Sequence, residues 1–337
     1  MTEKTIVVAC DGSGDYTSLQ EAVDAAPESG GPVRIFLRAG EYREKTVIHR
    51  NHIHLTGEER DRTVLCWNGC AKDLYEDGTE KGTFLSSTPM ITGSDVTVEN
   101  LTVRNDAGDG REVGQAVAVY AAGDRGIWRN CSLIAHQDTL FCGPIRLPNV
   151  KEDIRNRGGC AEAVYRVEDG PLTCSRQYFE NCLIRGDVDF IFGPYRCWFE
   201  QCTLFMNKRG GWYTAANTNQ DQPFGFVFRR CRLTGECEPG KAYLGRPWRK
   251  YCRTVFLECD MDEHVAPEGF SDWDEERKIS ERCGEWRTTG RRADQRLRHP
   301  AQKRMTDQEA EKITVENVLR GEDGWDPVDR QETAVIR

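Results

Sequence analysis

The chain has 337 residues, enough for one large elongated domain or two smaller ones, and carries 46 Lys and Arg against 55 Asp and Glu, a net charge of −9. That balance argues against a nucleic-acid binder, which needs a basic face, and no apolar run reaches the roughly 18 residues of a membrane span. An acidic substrate would have to find local cations or be partly neutralised.

The opening MTEKTIVVACDGSGDYTSLQEAV carries no signal-peptide pattern, so a cytoplasmic location is expected. Within it, DYTSLQEAVDAAP places Leu19, Ala22, Val23 and Ala26 on one helical face after a Thr17/Ser18 start, and Pro27 closes the helix. Beyond about Val33, long amphipathic helices are absent as far as Asp260. Short strands rich in β-branched residues and punctuated by glycine take their place.

Six segments align: ENLTVRN from Glu99, RNCSLIA from Arg129, ENCLIRG from Glu180, EQCTLFM from Glu200, RRCRLTG from Arg229 and LECDMDE from Leu257. Each has a small or medium apolar residue after a polar one, namely Leu101, Cys131, Cys182, Cys202, Cys231 and Cys259. The separations are 30, 51, 20, 29 and 28 residues. Apart from the 51 they fit a solenoid period, and the fold class that follows is all-β, a right-handed parallel β-helix. The helix at Leu19 should then cover its N-terminal mouth.

This repeat accounts for five of the fifteen cysteines as a buried ladder of small hydrophobes. The count is odd, there is no CxxC pair, and none of the six histidines has metal-type spacing to a cysteine, so neither a zinc site nor any cofactor is expected. Cys10, Cys66, Cys70, Cys142, Cys160, Cys174, Cys197, Cys237, Cys252 and Cys283 are left open between thiol and disulfide.

The long separation holds an insertion, Cys142 to Ser175, rich in Pro, Gly and charge. It reads equally as a lid or as a tolerated surface excursion. At the far end Gly284 to Arg304 is strongly charged and should pack outside. TDQEAEKITVENVLRG then carries a capping box, Thr306 with Glu309, and a Gly321 stop. The whole, 1–337, is expected to be one domain with an insertion at 142–175, a helical tail from about 284, and a monomeric state.

The stretch RGDVDFIFG, Arg185 to Gly193, sets two acids in an apolar strand pattern, Asp187 and Asp189, which should share a face. Alone it is explained as well by a wetted strand face as by chemistry. Register separates the two acids. Asp189 lies seven residues after Cys182, and Asp138 lies seven residues after Cys131. On adjacent coils about 4.8 Å apart their carboxyls should face each other. Asp187 has no acidic counterpart, since His136 occupies that place. Two close carboxyls do not both ionise easily, which leaves one nucleophile or base and one acid, as acyl transfer or glycoside chemistry requires.

DGSGDYTSLQEAVDAAP, FLRAGEYREKTVI, GQAVAVY, QDTLF, GDVDFIFG, GFVFRRCRL, YLGRPWRKYCRTVFLECDM and PEGFSDW, in this order from Val7 to about Trp273, resemble the pectin methylesterases (pectinesterases). The resemblance implies a parallel β-helix that hydrolyses methyl esters of galacturonate in pectin or pectic oligosaccharides and releases methanol. It implies Asp189 as nucleophile, Asp138 as general acid/base, and Gln115 and Gln137 as the amides of an anion hole. Arg246 would hold the nucleophilic carboxylate and lower its pKa. Trp248, Phe192 and Val188 would line the sugar cleft. In the family the position of Asp187 is commonly a small hydroxyl residue. A carboxylate there is expected to raise neighbouring pKa values or to disfavour polyanions.

Rivals are distinguishable. A lyase would want calcium-binding acids with a basic residue, and a polygalacturonase three clustered acids, whereas one in-register pair is found here. A thioesterase or carboxylesterase on this scaffold, or a non-catalytic carbohydrate-binding β-helix, remain alternatives.

Overall fold

The repeats of the sequence become coils. The structure, a computed structural model, describes residues 4–27, 31–143 and 175–328. Three parallel sheets run along the molecule. Sheet 1 has eleven strands, from Lys4–Val8 to Lys303–Arg304; sheet 2 has seven, from Thr46–Ile48 to Arg246–Pro247; sheet 3 has eight, from Gly40–Arg43 to Asp260–Met261. A typical coil passes from sheet 1 to sheet 3 to sheet 2, as in Gly126–Arg129, Ser132–Ile134 and Leu140–Cys142. Each of these strands pairs in parallel with its equivalent one coil on. The insertion, except for its edges, lies outside the described residues, as do Cys160 and Cys174.

The turn from sheet 1 to sheet 3 explains the spacing. Asn100, Asn130, Asn181, Gln201, Arg230 and Glu258 all have φ between 49° and 58°. A single left-handed residue bends the chain sharply there, and among residues with a side chain asparagine tolerates it best. Asn130 Nδ2 donates to Asn100 Oδ1 at 2.8 Å, tying successive turns together. The next residue points inward, and Leu101 and the five ladder cysteines are all buried. Each thiol donates to a carbonyl of the preceding coil: Cys131 to Val98, Cys182 to Trp128, Cys202 to Phe179, Cys231 to Phe199 and Cys259 to Phe228. A cysteine fills this slot as a small hydrophobe that also satisfies a buried acceptor. All cysteines among the described residues are free thiols.

Three residues before each ladder cysteine stands an aromatic. Trp128, Phe179, Phe199, Phe228 and Phe256 form an interior stack with successive ring centroids 5.8, 4.6, 4.4 and 4.6 Å apart. The parallel register of sheet 1 places them above one another.

Helix α1, Leu19–Ala25, is capped by the Ser18 side chain and packs on the first strands of sheets 1 and 2. Its Leu19, Ala22 and Val23 join the main core at that end. Helix α2 is a single turn, Gly110–Val113. The C-terminal region departs from expectation. Gly284–Trp286 and Lys303–Arg304 continue sheet 1 as its last strands instead of packing outside it. Helices α3, Asp307–Ala310, and α4, Val315–Leu319, are short. The tail lies along the outer face of sheet 1, not over the far mouth: Ile313, Val318 and Leu319 pack on Tyr178, Trp198, Val227 and Leu257. Apolar residues on that outer face demand a cover, and the tail supplies it.

Candidate active site

Sheet 2 carries the site. Along its outer face, Met90, Tyr120, Phe141, Phe192, Ala215 and Arg246 stand in register, one per coil. Their neighbours Leu140, Cys142 and Ile191 point into the main core, the two-residue alternation of a strand. Phe84, on a 3-10 turn at Thr83–Ser86, closes over this row, 4.8 Å from Phe141 between ring centroids.

RGDVDFIFG is not one strand. Leu183–Gly186 belongs to sheet 3 and Ile191–Gly193 to sheet 2, with a turn between them. The two acids therefore do not share a face. Asp189 sits at φ 53° and Asp138 at φ 66°, so both occupy the left-handed region just before a sheet 2 strand. Leu140 pairs with Ile191, which brings Asp138 and Asp189 to equivalent places on adjacent coils. Asp138 N donates to Val188 O at 3.0 Å and locks the turns together.

Asp138 and Asp189 are 8% and 5% exposed, and the surroundings of their carboxyls differ. Arg246 Nε donates to Asp189 Oδ1 at 2.8 Å and Nη2 to Oδ2 at 2.7 Å. The guanidinium lies between two indoles, 3.7 Å from the Trp212 ring centre and 3.9 Å from that of Trp273. Trp212 is itself held by its Nε1 donating to Ser271 Oγ at 2.8 Å. Among the described residues the carboxyl of Asp138 has no hydrogen-bond partner. Burial, then the charge of Asp189, pushes its pKa well above the usual carboxylate range. Asp189 is corrected in sign: burial raises its pKa too, and Arg246 offsets that rise without reversing it. A bidentate arginine does not fully replace lost water around a carboxylate this enclosed. The order survives, with Asp138 the group that holds its proton.

Gln137 and Gln115 flank the pair from adjacent coils, joined where Ala116 N donates to Gln137 O at 3.1 Å. Both are partly buried, and among the described residues neither amide side chain is hydrogen-bonded. Gly110, first residue of α2, lies against Gln137. A Cβ there would meet Gln137 Cβ at 2.8 Å, its Oε1 at 2.9 Å and Arg209 Nη1 at 3.2 Å. Val188 and Phe192 are 6% and 4% exposed, so they are mostly covered, while Trp248 is half-buried and packs on Phe192 at 5.9 Å.

Asp187 is fully buried and does not face substrate. His136 Nδ1 donates to its Oδ2 at 3.0 Å, so the residue in the equivalent place is its partner. Its charge adds, as a smaller contribution, to the rise at Asp138. Sequence reasoning missed His136 as a partner, Arg209, and the indoles of Trp212 and Trp273. Only Trp273, inside the PEGFSDW motif, offered a signal.

A parallel β-helix whose second sheet carries an aromatic row beside one arginine-held carboxylate, one proton-holding carboxyl and two open amides has the groups that an ester hydrolase needs. The Pectinesterase family model matches residues 5–147 and 171–322, and the chain belongs to that family. The break in the match falls within the insertion. Pectinesterase 31 of Arabidopsis thaliana is 31% identical over 280 residues, 81% of this chain and 78% of its own. Pectinesterase QRT1 of the same plant is 31% identical over 335 residues, covering 96% and 78%. Among solved structures, pectin methylesterase PemA from Erwinia chrysanthemi is 27% identical with a TM-score of 0.77, covering 97% of this chain and 99% of that one. The carrot enzyme is 28% identical with a TM-score of 0.76 over 95% and 94%. A pectin methylesterase in complex with a hexasaccharide is 27% identical, TM-score 0.75, over 98% and 100%.

Proposed function

We propose that this protein hydrolyses methyl esters of galacturonate residues in pectin or pectic oligosaccharides through an acyl-enzyme on Asp189. The observation that carries the residue assignment is the asymmetry of the in-register pair: Arg246 grips Asp189 with two hydrogen bonds and leaves Asp138 without one. Asp189, kept the more acidic by Arg246, attacks the ester carbonyl carbon. The oxyanion that forms takes hydrogen bonds from the open amides of Gln115 and Gln137, each worth about 3 kcal/mol when well placed. As the C–OCH3 bond breaks, Asp138 delivers its proton to the departing oxygen and methanol leaves. Water then attacks the acyl-enzyme, returns a proton to Asp138 and frees Asp189 with the galacturonate carboxylate. Trp248 offers an aromatic face on which a sugar ring can rest.

The experiment is methanol release from methyl-esterified oligogalacturonides, with chelator present, comparing the unaltered protein with Asp189→Ala. Methanol from the unaltered protein alone supports the scheme. Methanol from both would remove Asp189 from the nucleophile's role. Methanol from neither would sink the substrate assignment and move attention to acyl-thioesters.

A further inference from the structure

The outer face of sheet 1 carries a cavity that the ester chemistry of sheet 2 does not use. Its volume is about 460 Å³, within the range of small-molecule sites. Strand alternation sets its floor. Val255 faces outward, so Arg253, two residues earlier, stands on the same side. Gly284 pairs with Val255 and Lys303 with Gly284, and the missing side chain between them leaves a gap in that face. Phe224 walls one side, and Lys312 and Ile313, which follow α3 in the tail, wall the other.

The charge there is lopsided. Lys303 is spent on Glu309 at 2.7 Å. Arg253, Arg282 and Lys312 line the same cavity, and among the described residues none of the three has a carboxylate within ion-pair distance. Of the acids lining the cavity, only the exposed Glu281 is uncommitted. Arg282 is built into the backbone around it: its Nε donates to Tyr251 O at 3.0 Å and its Nη2 to Gln222 O at 2.9 Å. Arg253 is not. Among the described residues its guanidinium donates no hydrogen bond, and it rests against Phe224, 5.5 Å from the ring centre. Burial, then the charge of Arg282, pulls its pKa below the usual arginine value. Two neighbouring guanidiniums without an acid destabilise the empty cavity, and an anion that donates nothing and accepts from both removes that cost.

The walls decide what body the anion carries. Phe224, Val255, Met305 and Ile313 are apolar. An inorganic anion would match the guanidiniums and leave those walls wet. A neutral hydrocarbon would cover the walls and strand the charge. A flat ring bearing a carboxylate does both.

We infer that this cavity is a second ligand site, separate from the one on sheet 2, for an aromatic carboxylate whose charged end binds Arg253 and Arg282 and whose ring lies against Phe224 and Val255. Such a ligand also ties the tail to the last strands of sheet 1, because Ile313 belongs to one and Val255 to the other. Nothing in this depends on the esterase scheme.

The probes are 2-naphthoate and 4-hydroxycinnamate, titrated by calorimetry into the whole protein, with 2-naphthamide and inorganic phosphate as controls. At least one carboxylate should bind at about 0.1 mM or tighter, and both controls about tenfold more weakly or worse. Arg253→Gln should weaken binding by about tenfold or more, yet melt no lower than the unaltered protein when empty, since it sheds an unmatched charge. Glu281→Gln removes the competing acid and should tighten binding by about twofold. Trp248→Ala should leave the affinity unchanged, which separates this cavity from the sheet 2 cleft. No binding by either carboxylate, equal binding by the amide or by phosphate, or an affinity that survives Arg253→Gln overturns the inference. An empty Arg253→Gln protein that melts several degrees lower also overturns it, because Arg253 is then a structural residue.

Discussion

Arg246→Gln removes the fork that donates to both oxygens of Asp189 at 2.8 and 2.7 Å, and leaves unpaired a side chain only 7% exposed. Burial already raises Asp189, and Arg246 is what offsets it. Breaking a buried pair by removing one partner costs about 3–5 kcal/mol, and the orphaned carboxylate escapes much of that cost by taking up a proton. At about 1.4 kcal/mol per pKa unit, the ionised fraction of Asp189 should drop, by as much as about 10² to 10³ where the pH lies below the pKa it has in the unaltered protein. Methanol release should fall with it and recover in part as the pH rises. Arg246→Lys keeps a charge without the fork and should lie between. The assay is the initial rate on a methyl-esterified hexagalacturonide from about pH 5 to pH 9, beside a melting curve to establish that the fold survives. An Arg246→Gln protein within tenfold of the unaltered rate, with an unmoved pH profile, would refute the assignment of Asp189 as the nucleophile that Arg246 serves.

Asp138 should make stability depend on pH. Its folded pKa is raised, so above about pH 4 the unfolded chain releases this proton more readily and stability drains away as the pH rises. Asp138→Asn cannot ionise, and should melt about 2–4 °C above the unaltered protein near pH 8 and level with it near pH 4, while losing turnover; an equal difference at both pH values contradicts this. Gly110→Ala drives a methyl group into Gln137, so kcat should fall by about tenfold to a hundredfold with KM little changed, as steady-state kinetics will report. Phe199, stacked between Phe179 at 4.6 Å and Phe228 at 4.4 Å, should cost about 3–5 kcal/mol when replaced by Ala. A lower urea midpoint with an unchanged slope is the signature of that loss.

Much of this protein was written in one dimension because a solenoid repeats in one dimension. Recurrence of Leu101, Cys131, Cys182, Cys202, Cys231 and Cys259 carried the coils, and the seven-residue offset from Cys131 and Cys182 carried the pairing of Asp138 with Asp189. Stacked coils convert equal offsets into neighbours, so register alone sufficed. What lay beyond it depended on backbone direction and burial. The left-handed conformations of Asp138 and Asp189 break the strand alternation that placed Asp187 and Asp189 on one face, and no residue pattern announces such a turn at an aspartate. Whether Arg246 outweighs burial at Asp189 is a contest between two magnitudes set by enclosure, which only packed coils define. The indoles of Trp212 and Trp273 close on Arg246 from different loops, and His136 finds Asp187 across 51 residues of chain. The tail, amphipathic by composition, found its apolar partner on the flank of sheet 1 because Tyr178, Trp198 and Leu257 leave that face uncovered. Periodicity belongs to the sequence; which surface is bare, and which charge is left without water, belongs to the folded coil.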